Sequence, residues 1–247
     1  MISRSARVVV RCISWREEEL VSFVLVRKRA GCLKRCFNKN NKMKSFEIGI
    51  DEVGRGCLAG SVVVAAVLIE SNFKPPKHLP ELRDSKKMTA AQREEWVEWA
   101  ENGVSNFSVS TINTKTIEEL NISGAANLGA WKSLGEILND CLNIEVSVVL
   151  DGGLFIKDKK FQEEFAKQEK IKSIKTIVGA DKKFNSVKLA SVIAKVLRDD
   201  DMRYLAIKHP EYGFDKHKGY GTQNHKEAIK KNGLIEGVHR TKFCKGI

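Results

Sequence analysis

From Ser45 onward the apolar positions follow two alternating rhythms. Ser45 to Ile50 predicts a short strand that runs into Asp51. Ser61 to Glu70 is an almost unbroken Val/Ala-rich run and predicts a buried strand. Phe107 to Asn113 alternates and predicts a third. Glu145 to Leu150 predicts a buried strand ending at Asp151, and Ile171 to Val178 one that is followed by Asp181. Between the strands the spacing changes. Thr116 to Leu142 places Leu128, Trp131, Leu134 and Ile137 at helical intervals, and Ser186 to Ile207 predicts a second long helix. Lys160 to Glu169 predicts a polar helix, and Thr222 is placed to cap a last helix running to Lys231. The expectation is an α/β fold around one mixed sheet. The longest apolar runs, such as Val62 to Ile69, fall well short of the ~20 residues of a membrane-spanning helix. The sequence shows no internal repeat and no Pro/Ser-rich linker.

The 247 residues suit one sizeable domain with a short appendage. Their net charge of +12 favours a polyanionic partner. That charge is concentrated at one end. Residues 1–44 hold 12 Lys/Arg against 3 Glu, a net of +9; the other 203 residues hold 31 against 28, a net of +3. Residues 1–44 are therefore expected to be a basic extension, disordered or preceding a native start near Met43, with the domain spanning 45–247. The acid-free first sixteen residues loosely fit a transit peptide. Cys32 and Cys36 have metal-like spacing but lack enough partners for a closed site. The six scattered cysteines suit a reduced, intracellular protein, expected to be cytoplasmic.

Candidate chemistry lies where strands end. Asp51 and Glu52 follow FEIGI, Asp151 follows VSVVL, and Asp181 follows a strand and a Gly-Ala turn. In open α/β sheets this edge is where sites form. Several carboxylates gathered there repel one another unless a cation neutralises them. Oxygen ligands without His or Cys suit Mg²⁺ or Mn²⁺. The chemistry implied is phosphodiester hydrolysis with two metals about 4 Å apart.

Six blocks make this reading specific. IGIDEVGRGCLAG (48–60), LRDSKKMTAAQRE (82–94), Asn121 to Leu128, VLDGG (149–153), VGADKKFNSVKLASVIAKVLRDDDM (178–202) and YGFDKHKGYGT (212–222) occur in that order. Together they closely resemble the ribonuclease HII (type 2 ribonuclease H) family. The resemblance implies a ribonuclease H-like fold: a mixed central sheet flanked by helices, with a C-terminal helical part. It implies an endonuclease that cuts the RNA strand of RNA/DNA hybrids. It also implies incision 5′ to ribonucleotides embedded in duplex DNA, leaving 3′-hydroxyl and 5′-phosphate ends, as in ribonucleotide excision repair. By matching motifs, Asp51, Glu52, Asp151 and Asp181 fall on the catalytic, metal-binding acids. Gly54, Arg55 and Gly56 match an element that senses the RNA-to-DNA junction, where glycines let backbone approach a 2′-hydroxyl. Tyr220 matches a tyrosine that packs on the neighbouring deoxyribose. Ser85, Lys86 and Lys87, with His217 and Lys218, are expected to touch phosphates. Asp199 is read as structural, and the protein is expected to be a monomer.

The chain departs from the family in places. Asp151-Gly152-Gly153 stands where Asp-Gly-Asn is usual, Cys57 stands for a frequent Pro, and the lysine-rich stretch between Asp151 and Asp181 is long. Two other readings stay open at this level. One is a type 3 ribonuclease H, which prefers continuous hybrids. The other is a nucleic-acid-binding protein without catalysis.

Overall fold

The computed structural model describes residues 23–27, 45–104, 106–140, 144–156 and 171–247. Six strands form one sheet: β1 (Phe23–Arg27), β2 (Phe46–Val53), β3 (Val62–Glu70), β4 (Asn106–Ile112), β5 (Val146–Asp151) and β6 (Ile171–Ile177), in the order β1-β4-β3-β2-β5-β6. The β2–β3, β3–β4 and β1–β4 pairs are antiparallel, whereas β5 runs parallel to both β2 and β6. The sheet is mixed, and β2 and β5 lie side by side with their carboxyl ends at the same edge.

The pleat divides the core into two layers. Ile48 and Ile50 of β2, with Val64, Ala66 and Leu68 of β3, pack with Ala126, Ala130 and Leu134 of helix α2 (Thr114–Asp140). The alternate positions Val63, Ala65 and Val67 face the other layer, made by α1 (Ala90–Trp99) and α4 (Asn185–Lys208). A four-residue helix, α3 (Ala180–Lys183), precedes α4. Two short C-terminal helices, α5 (Phe214–His217) and α6 (Gln223–Asn232), pack with Leu58, Ala59 and Met202 in a third cluster. No helix among the described residues is long and apolar enough to cross a membrane.

Three departures from the sequence expectations have physical causes. First, α1 was not anticipated. Its start is nonetheless written in Thr-Ala-Ala-Gln: the Thr89 hydroxyl accepts from the Gln92 N–H at 3.2 Å, and the Gln92 side chain accepts from the Thr89 N–H at 3.0 Å. Second, α2 is broken at Asn121, which sits at φ 59°, ψ 170°, while its Oδ1 accepts from the N–H groups of Ser123 (3.0 Å) and Gly124 (3.1 Å). The side chain caps a new helical start within what reads as one helix. Third, the expected disordered extension contains Phe23–Arg27, which pairs with the outer edge of β4 and satisfies backbone groups there. The rest of residues 1–44 and the expected helix Lys160 to Glu169 lie outside the described residues.

Helix α4 sits close on the sheet because β2 carries Gly49 on that face. A Cβ there lies 2.2 Å from the Ser186 carbonyl carbon and the Val187 nitrogen. Both are backbone atoms, so the clash cannot be relieved by a rotamer change. Gly49→Ala is expected to destabilise the fold by about 3 kcal/mol, read from the midpoint of urea unfolding at constant m-value.

Candidate active site

The carboxylates converge because of strand register. Ile50 of β2 pairs with Leu150 of β5, so Asp51 and Asp151 follow on neighbouring parallel strands, which run about 4.8 Å apart. Asp181 enters from α3, directly beyond β6, whose Ile177 pairs with Asp151. The N–H groups of Ala180 and Asp181 donate to Asp151 Oδ1 at 2.8 and 3.4 Å, tying the first turn of α3 to the end of β5. All four acids predicted from sequence therefore gather at one sheet edge.

The pleat gives Asp51 and Glu52 different surroundings. Asp51 is buried toward α4, where it bonds to the Ser191 hydroxyl and accepts from the Glu52 N–H at 2.8 Å. Burial, then the charges of Glu52 and Asp151, holds its carboxyl well above the usual range. Glu52 turns toward α2, where Arg55 Nη1 reaches its Oε1 at 3.3 Å. Its carboxyl is also raised, by burial first, with Arg55 opposing and Asp151 adding to the shift. Asp181 is raised by burial and by Asp151 and Asp84.

Glu52 Oε2 is buried with no hydrogen-bond partner. An orphaned acceptor beside like charges is an unfavourable arrangement that a cation corrects. Among the described residues, no three His, Cys, Asp or Glu side chains form a ready-made metal cage. The donor set nevertheless fits a hard divalent ion: carboxylate oxygens, an unpartnered acceptor and repulsion to neutralise.

Arg55 organises one side of this edge. Besides Glu52, Nη1 donates to the Gly153 carbonyl at 2.9 Å and Nη2 to the Ser123 hydroxyl at 3.1 Å, beside the Asn121 break. A Cβ at 153 lies 2.6 Å from Arg55 Nη1. The departure from Asp-Gly-Asn thus leaves room for the pose Arg55 adopts. Gly54, at φ 105°, lies against Arg198, whereas Gly56 is exposed with open space beside its Cα.

The expected phosphate-contacting residues divide. Lys86 and Lys87 are exposed, and Lys86 is near enough to Asp181 to oppose its shift. Ser85 is buried, with its hydroxyl 2.9 Å from that of Ser191, so it supports Asp51 through Ser191 and has no open path to a phosphate. His217 is partly buried, and both its ring nitrogens are engaged within the protein. Nδ1 accepts from the Gly219 N–H at 3.2 Å and Nε2 donates to the Tyr212 carbonyl at 2.7 Å. Lys218 adopts φ 51°, and burial lowers its ammonium from the usual lysine range. Tyr220 remains exposed at the rim and bridges to Cys57. Asp199 is held by Lys195 at 2.6 Å and Arg93 at 3.6 Å, joining α4 to α1.

Four supporting residues escaped the sequence reading: Ser123, Ser191, Arg198 and Arg240. A serine within the apolar stretch LASVI was a weak signal for Ser191. Nothing local singles out the others, whose partners are far away in the chain.

Under the Tyr220 loop lies a buried histidine pair. His225 Nδ1 donates to the Tyr220 carbonyl at 3.0 Å, and His239 Nδ1 accepts from the Ile235 N–H at 2.8 Å. These partners assign the proton between the rings: His239 Nε2–H donates to His225 Nε2 across 3.2 Å. Protonating either ring loses one of these bonds. Burial foremost pushes both side chains from 6.5 down to about 4.

The family model described as Ribonuclease HII matches residues 48–246. A "Ribonuclease HII" of Fusobacterium nucleatum is 42% identical over 203 residues, covering 81% of this chain and 86% of that one. A crystal structure of the ribonuclease H2 from Pyrococcus horikoshii OT3 superposes with a TM-score of 0.57 at 24% identity, over 81% of this chain and 95% of the other. A structure titled Bst-RNase HIII in complex with Mn²⁺ superposes with a TM-score of 0.59 at 17% identity, covering 88% of this chain and 71% of that one, a likeness of fold alone.

Two outcomes follow from the electrostatics. Because the Asp51 carboxyl is raised in the fold, its ionisation costs stability as pH rises above the unfolded range. Asp51→Asn is therefore expected to stabilise the metal-free protein at pH 7 by roughly 0.5–2 kcal/mol, measured by urea unfolding. The histidine pair has the opposite sign. Its contribution is complete above pH 6.5 and is lost as pH falls from there toward 4. Over that interval His225→Asn, which carries no titrating ring, is expected to lose less stability than the parent.

Proposed function

From its membership of the ribonuclease HII family, we propose that this endoribonuclease incises duplex DNA 5′ to an embedded ribonucleotide and cuts the RNA strand of continuous hybrids, leaving 3′-hydroxyl and 5′-phosphate ends. Ribonuclease H enzymes depend on a divalent metal. In this proposal Asp51, Glu52, Asp151 and Asp181 hold Mg²⁺ or Mn²⁺. When bound, the ions supply charge neutralisation for the scissile phosphate and a more acidic water.

The observation that carries the proposal is the placing of four acids on β2, β5 and α3 at one sheet edge, with Asp151 acting on Asp51, Glu52 and Asp181 and with Glu52 Oε2 left unpartnered. The protein's own groups hold this edge in order. Ser191 fixes Asp51, Arg55 fixes Glu52, and the amides of α3 fix Asp151, so little reorganisation remains when substrate arrives. In this reading Gly54 to Gly56 meet the sugar at the junction, Tyr220 covers the deoxyribose, and Lys86 and Lys218 lie near the backbone phosphates. Lysines there give salt-dependent affinity without choosing a sequence.

The test uses a DNA duplex carrying one ribonucleotide, incubated with the full chain in Mg²⁺ and then Mn²⁺. Incision immediately 5′ to the ribonucleotide is expected. Asp181→Asn is expected to lower kcat on the order of 10³-fold, through several kcal/mol of lost charge stabilisation. Cutting of a continuous hybrid alone would move the assignment to type 3 behaviour. Binding of both duplexes without cutting either would leave a nucleic-acid-binding protein.

A further inference from the structure

Two arginines, Arg198 and Arg240, are fully buried where the C-terminal helices meet the turn after β2. Their hydrogen bonds go to backbone carbonyls. Arg240 donates to the Gly60 carbonyl from Nε (3.0 Å) and Nη2 (2.7 Å), to Ser61 from Nη2 (3.0 Å) and to Arg55 from Nη1 (2.9 Å). Arg198 donates to the carbonyls of Ser61 (3.2 Å), Ala59 (3.1 Å) and Lys218 (2.8 Å). Backbone bonds lace the same segments together, from Leu58 N to Gly219 O and from Arg240 N to Leu58 O.

Burying a guanidinium is costly, and burial lowers the Arg240 side chain to about 10. An apolar side chain of similar volume would fill this space more cheaply. A planar fork alone can engage several carbonyls of one turn in fixed directions. The bond to Arg55 has a consequence for the neighbouring amide. No described peptide is cis, and in a trans peptide C=O and N–H point oppositely. With the Arg55 carbonyl drawn inward to Arg240, the Gly56 N–H of that peptide points outward, where Gly56 is exposed and the space beside its Cα is empty.

We propose that Arg240 is a positioning residue for sugar recognition: its grip on the Arg55 carbonyl aims the Gly56 amide at the 2′-hydroxyl of the ribonucleotide. The inference rests on the reading of Gly54 to Gly56 as the element that meets the sugar. Arg240 itself touches no substrate. Arg198 supports the same turn from its other side, with Gly54 packed so closely on it that a Cβ there lies 2.2 Å from Arg198 Nε.

The test is the preference for one ribonucleotide over none, measured by fluorescence anisotropy in an Asp181→Asn background with a DNA duplex and its all-deoxy counterpart. The background is expected to prefer the ribonucleotide about tenfold, the scale of a hydrogen bond or two. Arg240→Met is expected to reduce that preference below about threefold. Arg240→Lys, which reaches fewer carbonyls, is expected to fall between them, and it decides the matter where Arg240→Met does not fold. Tyr212→Phe is the structural control. It removes a 2.8 Å bond to the Gly233 carbonyl, away from the turn, and is expected to keep the full preference. Folded Arg240 variants that retain the tenfold preference would overturn the proposal. A background with no preference would overturn it too, and would also sink the sugar-sensing reading of the turn. That failure shows before any change at Arg240, so the two are distinguishable.

Discussion

Like charges crowded at one sheet edge are the constraint around which this molecule is built. Asp51, Glu52, Asp151 and Asp181 sit where β2, β5 and α3 meet, and burial and mutual repulsion raise three of their carboxyls. Left mobile, such groups would turn into solvent and separate. The fold prevents this by giving three of the acids a fixed neighbour: Ser191 for Asp51, Arg55 for Glu52, and the amides of Ala180 and Asp181 for Asp151. The orphaned Glu52 Oε2 is the remainder of that repulsion, held in a place where a cation relieves it.

Rigidity at this edge comes from polar framework as much as from apolar packing. Two apolar clusters set the sheet against α2 and against α1 and α4, and another sets the turn after β2 against the C-terminal helices. The turn after β2 is then held from below by two buried guanidiniums and from the side by the 218–220 segment. The histidine pair fastens α6 to the Tyr220 loop through neutral rings. Buried polar groups that are almost all satisfied specify one arrangement, because each alternative leaves a donor or acceptor unpaired.

Much of this was legible in the chain. Apolar runs of strand length marked β2 through β6, and an acid after three of them marked the edge. The blocks around Gly54 to Gly56, Asp151 and Asp181 named a family, which the match over residues 48–246 establishes. Side-chain environment was less legible. Ser85 and His217 read as phosphate contacts because they lie in basic motifs, yet Ser85 faces Ser191 and His217 is tied to backbone on both nitrogens. Motif membership shows that a position matters, but not which way its side chain points. Asn121 illustrates the same limit, since a helical pattern continues through a residue whose own side chain ends one helical segment and caps the next.

The sequence by itself determined strands β2 to β6, the long helices, the positions of the four acids and the family, because these depend on periodicity and short motifs that neighbours in the chain supply. Tertiary structure alone decided how the acids are held. Arg55 reaches Gly153 across 98 positions and Arg240 reaches Arg55 across 185. No local pattern carries partners so far apart, and the direction of a peptide plane is settled only when the distant donor that holds it has folded into place.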